Sequence, residues 1–82
     1  MVKIQYDPSF EKTLRKISDE NLKLRVKKQI QKIIENPEIG KPMRYTRKGT
    51  REIYVPPFRL SYAYLKNEDT IVFLDLYHKD EQ

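Results

Sequence analysis

Near its middle the chain changes the spacing of its apolar residues from the three-to-four of a helix to the two of a strand, and that switch limits the fold more than any other feature. Before the switch, Phe10, Leu14 and Ile17 recur at helical spacing, and so do Leu22, Val26, Ile30, Ile33 and Ile34. After it, Ile53 and Val55 alternate with Glu52 and Tyr54, and Phe58, Leu60, Tyr62 and Tyr64 alternate with Arg59, Ser61 and Ala63. Helices first and strands afterwards is the pattern of an α+β protein.

Local signals place the ends of these elements. Val2, Ile4 and Tyr6 alternate with Lys3 and Gln5, which predicts a short first strand. Asp7 stands where an N-cap belongs and Pro8 at the first helical position, so a helix is predicted over residues 8–17. Ser18 and Asp19 break that helix and recap a second one, which stops before Pro37 because a residue preceding proline is pushed out of the helical region. Pro56 and Pro57 mark a turn, Lys66-Asn67-Glu68-Asp69 reads as a hairpin, and residues 70–77 as the last strand. The predicted order is β-α-α-β-β-β: a helical hairpin packed on one face of a small, mainly antiparallel four-stranded sheet, with the other face open. The 82 residues suffice for one core, so residues 1–82 are read as a single domain whose function sits on its surface.

Composition removes several function classes. There is no cysteine and only one histidine, so neither thiolate nor imidazole metal centres can be built, and no metal or other cofactor is expected. No apolar run is long enough to span a membrane, and the N-terminus lacks the apolar block of a signal peptide, so the expected compartment is the cytoplasm.

The net charge of +5 becomes informative once it is located. Residues 41–51 hold five basic side chains (Lys41, Arg44, Arg47, Lys48 and Arg51) and no acid, so the remaining twelve Lys and Arg balance the twelve Asp and Glu. With Tyr45 interleaved, Lys41, Arg44, Arg47 and Lys48 form a candidate binding segment for a polyanion such as RNA. A solvated loop that only keeps the protein in solution fits the same residues. On the predicted open face, Arg59 lies between small neighbours, and its planar fork suits a phosphate. Parity on the last strand puts Asp75, Tyr77 and Lys79 on one face and His78 on the other. From the residues alone, Arg59 also reads as an ion-pair partner of Asp75, His78 as a solvated terminus and Lys79 as part of a charged tail.

Taken together, the element order, the helix ending in Asn36-Pro37 before a glycine-containing basic loop, Arg51-Glu52-Ile53-Tyr54-Val55, Phe58-Arg59-Leu60-Ser61-Tyr62 and the closing Tyr77-His78-Lys79-Asp80-Glu81 resemble the RelE/ParE toxin superfamily, RelE-like members above all. The resemblance spans essentially the whole chain. It implies the toxin of a type II toxin–antitoxin system, a ribosome-dependent mRNA endonuclease that needs no metal, with a RelB-like antitoxin, the ribosome and messenger RNA as partners. It also implies that Arg59 stabilises the transition state and that His78 and Lys79 supply charge stabilisation or protonation of the leaving group. Arg51 and Tyr54 complete the expected catalytic set. Many relatives carry a basic residue where this chain has Tyr54, arginine where it has Lys79, and a tyrosine beyond the closing acid, where this chain ends at Gln82. The same fold also serves poisons of DNA gyrase and non-catalytic relatives that bind RNA or ribosomes, so these stand as alternatives.

Overall fold

Two aspartates start the two helices. In the computed structural model, which describes residues 2–42 and 49–78, Asp7 accepts the Ser9 amide at 2.9 Å and opens α1 (Pro8–Lys16). Asp19 accepts the amides of Asn21 and Leu22 and opens α2 (Glu20–Glu35). The first helix ends at Lys16, one residue before the predicted end, with Ile17 as its C-cap. The second ends at Glu35, with Asn36 as its C-cap donating its amide to Lys32 O.

The strands are β1 (Lys3–Tyr6), β2 (Lys41–Pro42), β3 (Thr50–Val55), β4 (Phe58–Leu65) and β5 (Thr70–His78). They form one sheet in the order β1-β5-β4-β3-β2, antiparallel except where β1 runs parallel to β5. The sheet therefore has five strands, not the predicted four. The extra one is the two-residue β2, whose Lys41 and Pro42 pair with Glu52 and Arg51; a strand this short leaves no periodicity to read. A short 3₁₀ turn (Lys66–Glu68) closes the β4–β5 hairpin, with Asp69 in the left-handed region.

Both helices pack on one side of the sheet. Phe10, Val26, Ile33, Leu60, Tyr62, Ile71, Phe73 and Leu76 are buried there, and Tyr6 stacks against both Phe10 and Phe73 with ring centroids 5.9 and 5.4 Å away. The apolar stripes of both helices and of β4 thus face each other as the periodicity predicts.

Strand β5 keeps its apolar residues on that side by means of a bulge. Ser61 pairs with Asp75 but Tyr62 pairs with Phe73, so Leu74 is an extra residue in the ladder. The bulge inverts the parity of the strand, which lets Ile71 and Phe73 before it and Leu76 after it all point to the core. The Asp75 carboxylate accepts the Leu76 amide at 2.8 Å, satisfying a donor at the irregularity.

On the helix side the root of the basic segment is held tightly. Tyr62 Oη donates to Pro37 O at 2.8 Å and accepts the Gly40 amide at 2.9 Å. A side chain at position 40 would place its Cβ 2.6 Å from that hydroxyl, so only glycine fits. Arg51 Nη1 donates to Glu38 O and Gly40 O at 3.0 and 2.8 Å.

Candidate active site on the open sheet face

Cross-strand partners project to the same side of a sheet, so the register defines the open face row by row. One row is Lys41, Glu52, Ser61 and Asp75; the next, toward the ends of β4 and β5 where the sheet finishes, is Tyr54, Arg59 and Tyr77. On the other side of the first row lie Thr50, Ala63, Val72 and Gln5. The centre of the face is thus lined by small side chains and the end row by an arginine between two tyrosines.

Glu52 links the two rows. Its Oε1 accepts Arg59 Nη1 at 2.9 Å and its Oε2 accepts the hydroxyl of Tyr77. The carboxylate is only 8 % exposed, while the Arg59 side chain is 35 % and Tyr54 51 % exposed. The hydrogen bond that Arg59 donates to Glu52 raises the Arg59 pKa above its ordinary value, with desolvation opposing it. Two polar atoms of this face, Arg59 Nε and Ser61 Oγ, are buried without a hydrogen-bond partner among the described residues. Fixed donors beside exposed aromatic rings can hold a phosphate and stack a base.

The ion-pair partner of Arg59 is therefore Glu52 and not Asp75. Both acids lie one row from Arg59, on opposite neighbouring strands, and parity alone does not choose between them. The bulge decides, because it engages Asp75 with the Leu76 amide. Glu52 is the member of this cluster that the sequence reading missed; the available signal was its place two residues before Tyr54 on the same face of β3.

Of the expected catalytic residues, the structure brings Arg59 and Tyr54 together. Arg51 projects to the opposite side of β3, onto the backbone of the loop after α2. His78 also turns to the helix side, where its ring meets the edge of Phe58 at a centroid distance of 5.6 Å. There it lines a groove of about 440 Å³ with Lys16, Ile17, Leu22 and Phe58. Lys41 is exposed and paired with Glu52 at the sheet edge. Arg44, Tyr45, Arg47, Lys48 and Lys79 lie outside the described residues. Among the described residues no group of three or more His, Asp or Glu is placed to hold a metal ion, and no helix is long and apolar enough to cross a membrane.

The model of the ParE toxin family of type II toxin–antitoxin systems, parDE, matches residues 4–82. The chain belongs to this family. Solved structures of RelE/ParE toxins share its fold. A chain of the intact E. coli RelBE toxin–antitoxin complex is 18 % identical, with both chains covered in full and a TM-score of 0.81. The RelBE2 toxin–antitoxin complex of Mycobacterium tuberculosis contains a chain 23 % identical, with 95 % of this chain and 98 % of that one covered and a TM-score of 0.79. A YoeB/ParE toxin from Agrobacterium tumefaciens is 12 % identical, with 94 % and 98 % covered and a TM-score of 0.83. No curated protein matches the sequence. The helical hairpin on one face of a mostly antiparallel sheet is accordingly the RelE-like α+β fold, and the chain is a type II toxin of the RelE/ParE superfamily.

Proposed function

We propose that this toxin is a metal-independent endoribonuclease that cuts messenger RNA on the ribosome, and that a RelB-like antitoxin holds it inactive. The observation that carries this reading is Arg59, fixed by Glu52 and flanked by Tyr54 and Tyr77 on the uncovered face. The nucleophile of such a reaction is the 2′-hydroxyl of the substrate, which attacks the adjacent phosphate; a cyclic phosphate forms and the 5′-oxygen leaves. The protein has to orient the strand, stabilise the phosphorane charge and move protons. Arg59 meets the charge, and the tyrosines provide faces for splayed bases. Lys41 and the basic residues after it supply affinity for the backbone, and Lys79 adds charge where β5 runs out. The antitoxin partner is supported by the E. coli and M. tuberculosis relatives, both of which were solved in toxin–antitoxin complexes. A cytoplasmic site of action follows from the proposed targets.

A second reading, a poison of DNA gyrase, is favoured by two features: Glu52 already balances the Arg59 charge, and His78 turns away from it. A non-catalytic relative that only binds RNA or ribosomes is the third. Induced expression with mapping of messenger 5′ ends on ribosomes separates them. Cuts within translated codons that vanish in Arg59→Ala support the nuclease. Growth arrest with intact messages and trapped gyrase–DNA complexes would replace it with the poison, and binding to ribosomes with neither effect would leave the third.

A further inference from the structure

Glu52 is the only buried charged side chain among the described residues, and it lies on the face that no helix covers. Removing a carboxylate from water is costly unless its oxygens are matched, and a well-packed apolar residue often serves stability as well as a buried ion pair does. What an apolar residue would not do is fix the hydrogen-bonding roles of its neighbours. A carboxylate accepts and never donates, so the Tyr77 hydroxyl, which has one proton, must give that proton to Glu52 Oε2. The phenol oxygen then meets a ligand as an acceptor. Arg59 commits Nη1 to Oε1, and a guanidinium carries five donors, so its fork still meets a ligand as a donor. Arg59 and Tyr77 are direct cross-strand partners, which sets their side chains beside each other in one row.

Together these facts describe a donor for an anion next to an acceptor for a hydroxyl. The geometry points to Tyr77 as the residue that recognises a ribose 2′-hydroxyl while Arg59 holds the neighbouring phosphate, with Glu52 as the positioning residue that makes the phenol an acceptor. A deoxyribose offers nothing to that oxygen, so the pair selects RNA over DNA at the nucleotide it touches. This specificity rests on the nuclease reading given above and adds Tyr77 and Glu52 to the expected catalytic set.

The test is direct binding of the full chain to three single-stranded oligonucleotides of one sequence: RNA, 2′-O-methyl RNA and DNA. The methyl ether keeps the ribose oxygen and removes its proton. The wild type should bind RNA about tenfold more tightly than either analogue, the loss expected when one buried hydrogen bond cannot form. Tyr77→Phe should bind all three alike. Glu52→Gln should also narrow the ratio, because the amide can donate to the phenol and reverse its role. Arg59→Ala should weaken all three and leave the ratio unchanged. Tyr77→Phe keeps the Arg59–Glu52 pair, so it tests the inference even if Glu52→Gln unfolds. Equal binding of RNA and the methyl ether by the wild type, with Arg59→Ala still weakening both, overturns the role of Tyr77 and leaves the nuclease reading standing. A Tyr77→Phe ratio equal to that of wild type does the same. No binding to any of the three also overturns the role of Tyr77, while the nuclease reading stands or falls on the mapping of messenger ends.

Discussion

The two faces of the sheet are made by the same three strands and obey opposite rules. Toward the helices, β3, β4 and β5 present Val55, Leu60, Tyr62, Phe73 and Leu76, all nearly inaccessible and packed on one another. Toward solvent the same strands present Glu52, Tyr54, Arg59, Asp75 and Tyr77, of which Glu52 joins Arg59 and Tyr77 by directed polar contacts. The covered face is held by area removed from water, which is indifferent to small changes in angle. The open face is held by hydrogen bonds and charge, which are not. Alternation along a strand lets one backbone carry both, because the rigid side fixes the Cα positions from which the other projects.

The largest expected effect lies on the covered face. Phe73→Ala should cost about 3–5 kcal/mol of stability through lost burial and the cavity left behind, read as a fall in melting temperature and in the denaturant midpoint. A loss below about 1 kcal/mol would mean that the helix side is not what holds the sheet.

Next comes Arg59→Ala, expected to slow ribosomal messenger cleavage about a hundredfold, roughly 3 kcal/mol of transition-state stabilisation. It also leaves the Glu52 carboxylate with Tyr77 alone, at about 1–3 kcal/mol in stability. Arg59→Lys keeps a charge beside Glu52 but loses the planar fork, so its cleavage should remain well below wild type while its fold recovers. Equal loss of fold in both variants would make the open face as structural as the covered one.

Replacing Arg44, Arg47 and Lys48 together with alanine should weaken RNA binding on the order of ten- to a hundredfold at low salt and reduce the salt slope by about two, since each neutralised phosphate releases counterions. An unchanged slope would return the segment to plain solvated surface. A smaller effect is expected from Tyr62→Phe, which deletes the hydroxyl held by Pro37 O and the Gly40 amide, at about 1–2 kcal/mol. Burial raises the Tyr62 pKa above its ordinary value, opposed by the Gly40 hydrogen bond and the Arg51 charge. The folded chain therefore holds that proton more tightly than the unfolded one, so its contribution is complete below a pH of about 10 and is lost as the pH climbs past the raised folded value. Melting temperature followed into alkali should fall less steeply for Tyr62→Phe than for wild type. The smallest effect belongs to His78→Ala, under tenfold in cleavage, because its ring lies against Phe58 and not beside Arg59. A hundredfold loss there would place the proton transfer on the strand end after all.

Much of this was legible in the sequence. The helical stripes and the alternation of β4 pointed to a helix-covered face and an open one, because burial on one side writes a period into the chain. What stayed hidden depended on geometry between strands. Lys41-Pro42 makes a strand only through its partners Glu52 and Arg51. The bulge at Leu74 inserts one residue into an apolar run where every position already looks buried, so nothing in the pattern marks it. Glu52 follows from both, since the choice between it and Asp75 as the partner of Arg59 was made at that bulge.

The extra residue also chooses which functional group the last strand offers to the outside. Were β5 regular throughout, with Phe73 kept in the core opposite Tyr62, Tyr77 would turn under the helices and Leu76 would stand beside Arg59. A phenol would be exchanged for an aliphatic side chain by a slip of one residue. The same slip would carry Leu76 into water, at about 2 kcal/mol, and drive the Asp75 carboxylate toward the core. The irregularity thus works as a selector with one strongly preferred setting, and the identity of the exposed side chain is decided by the cost of misplacing its two predecessors.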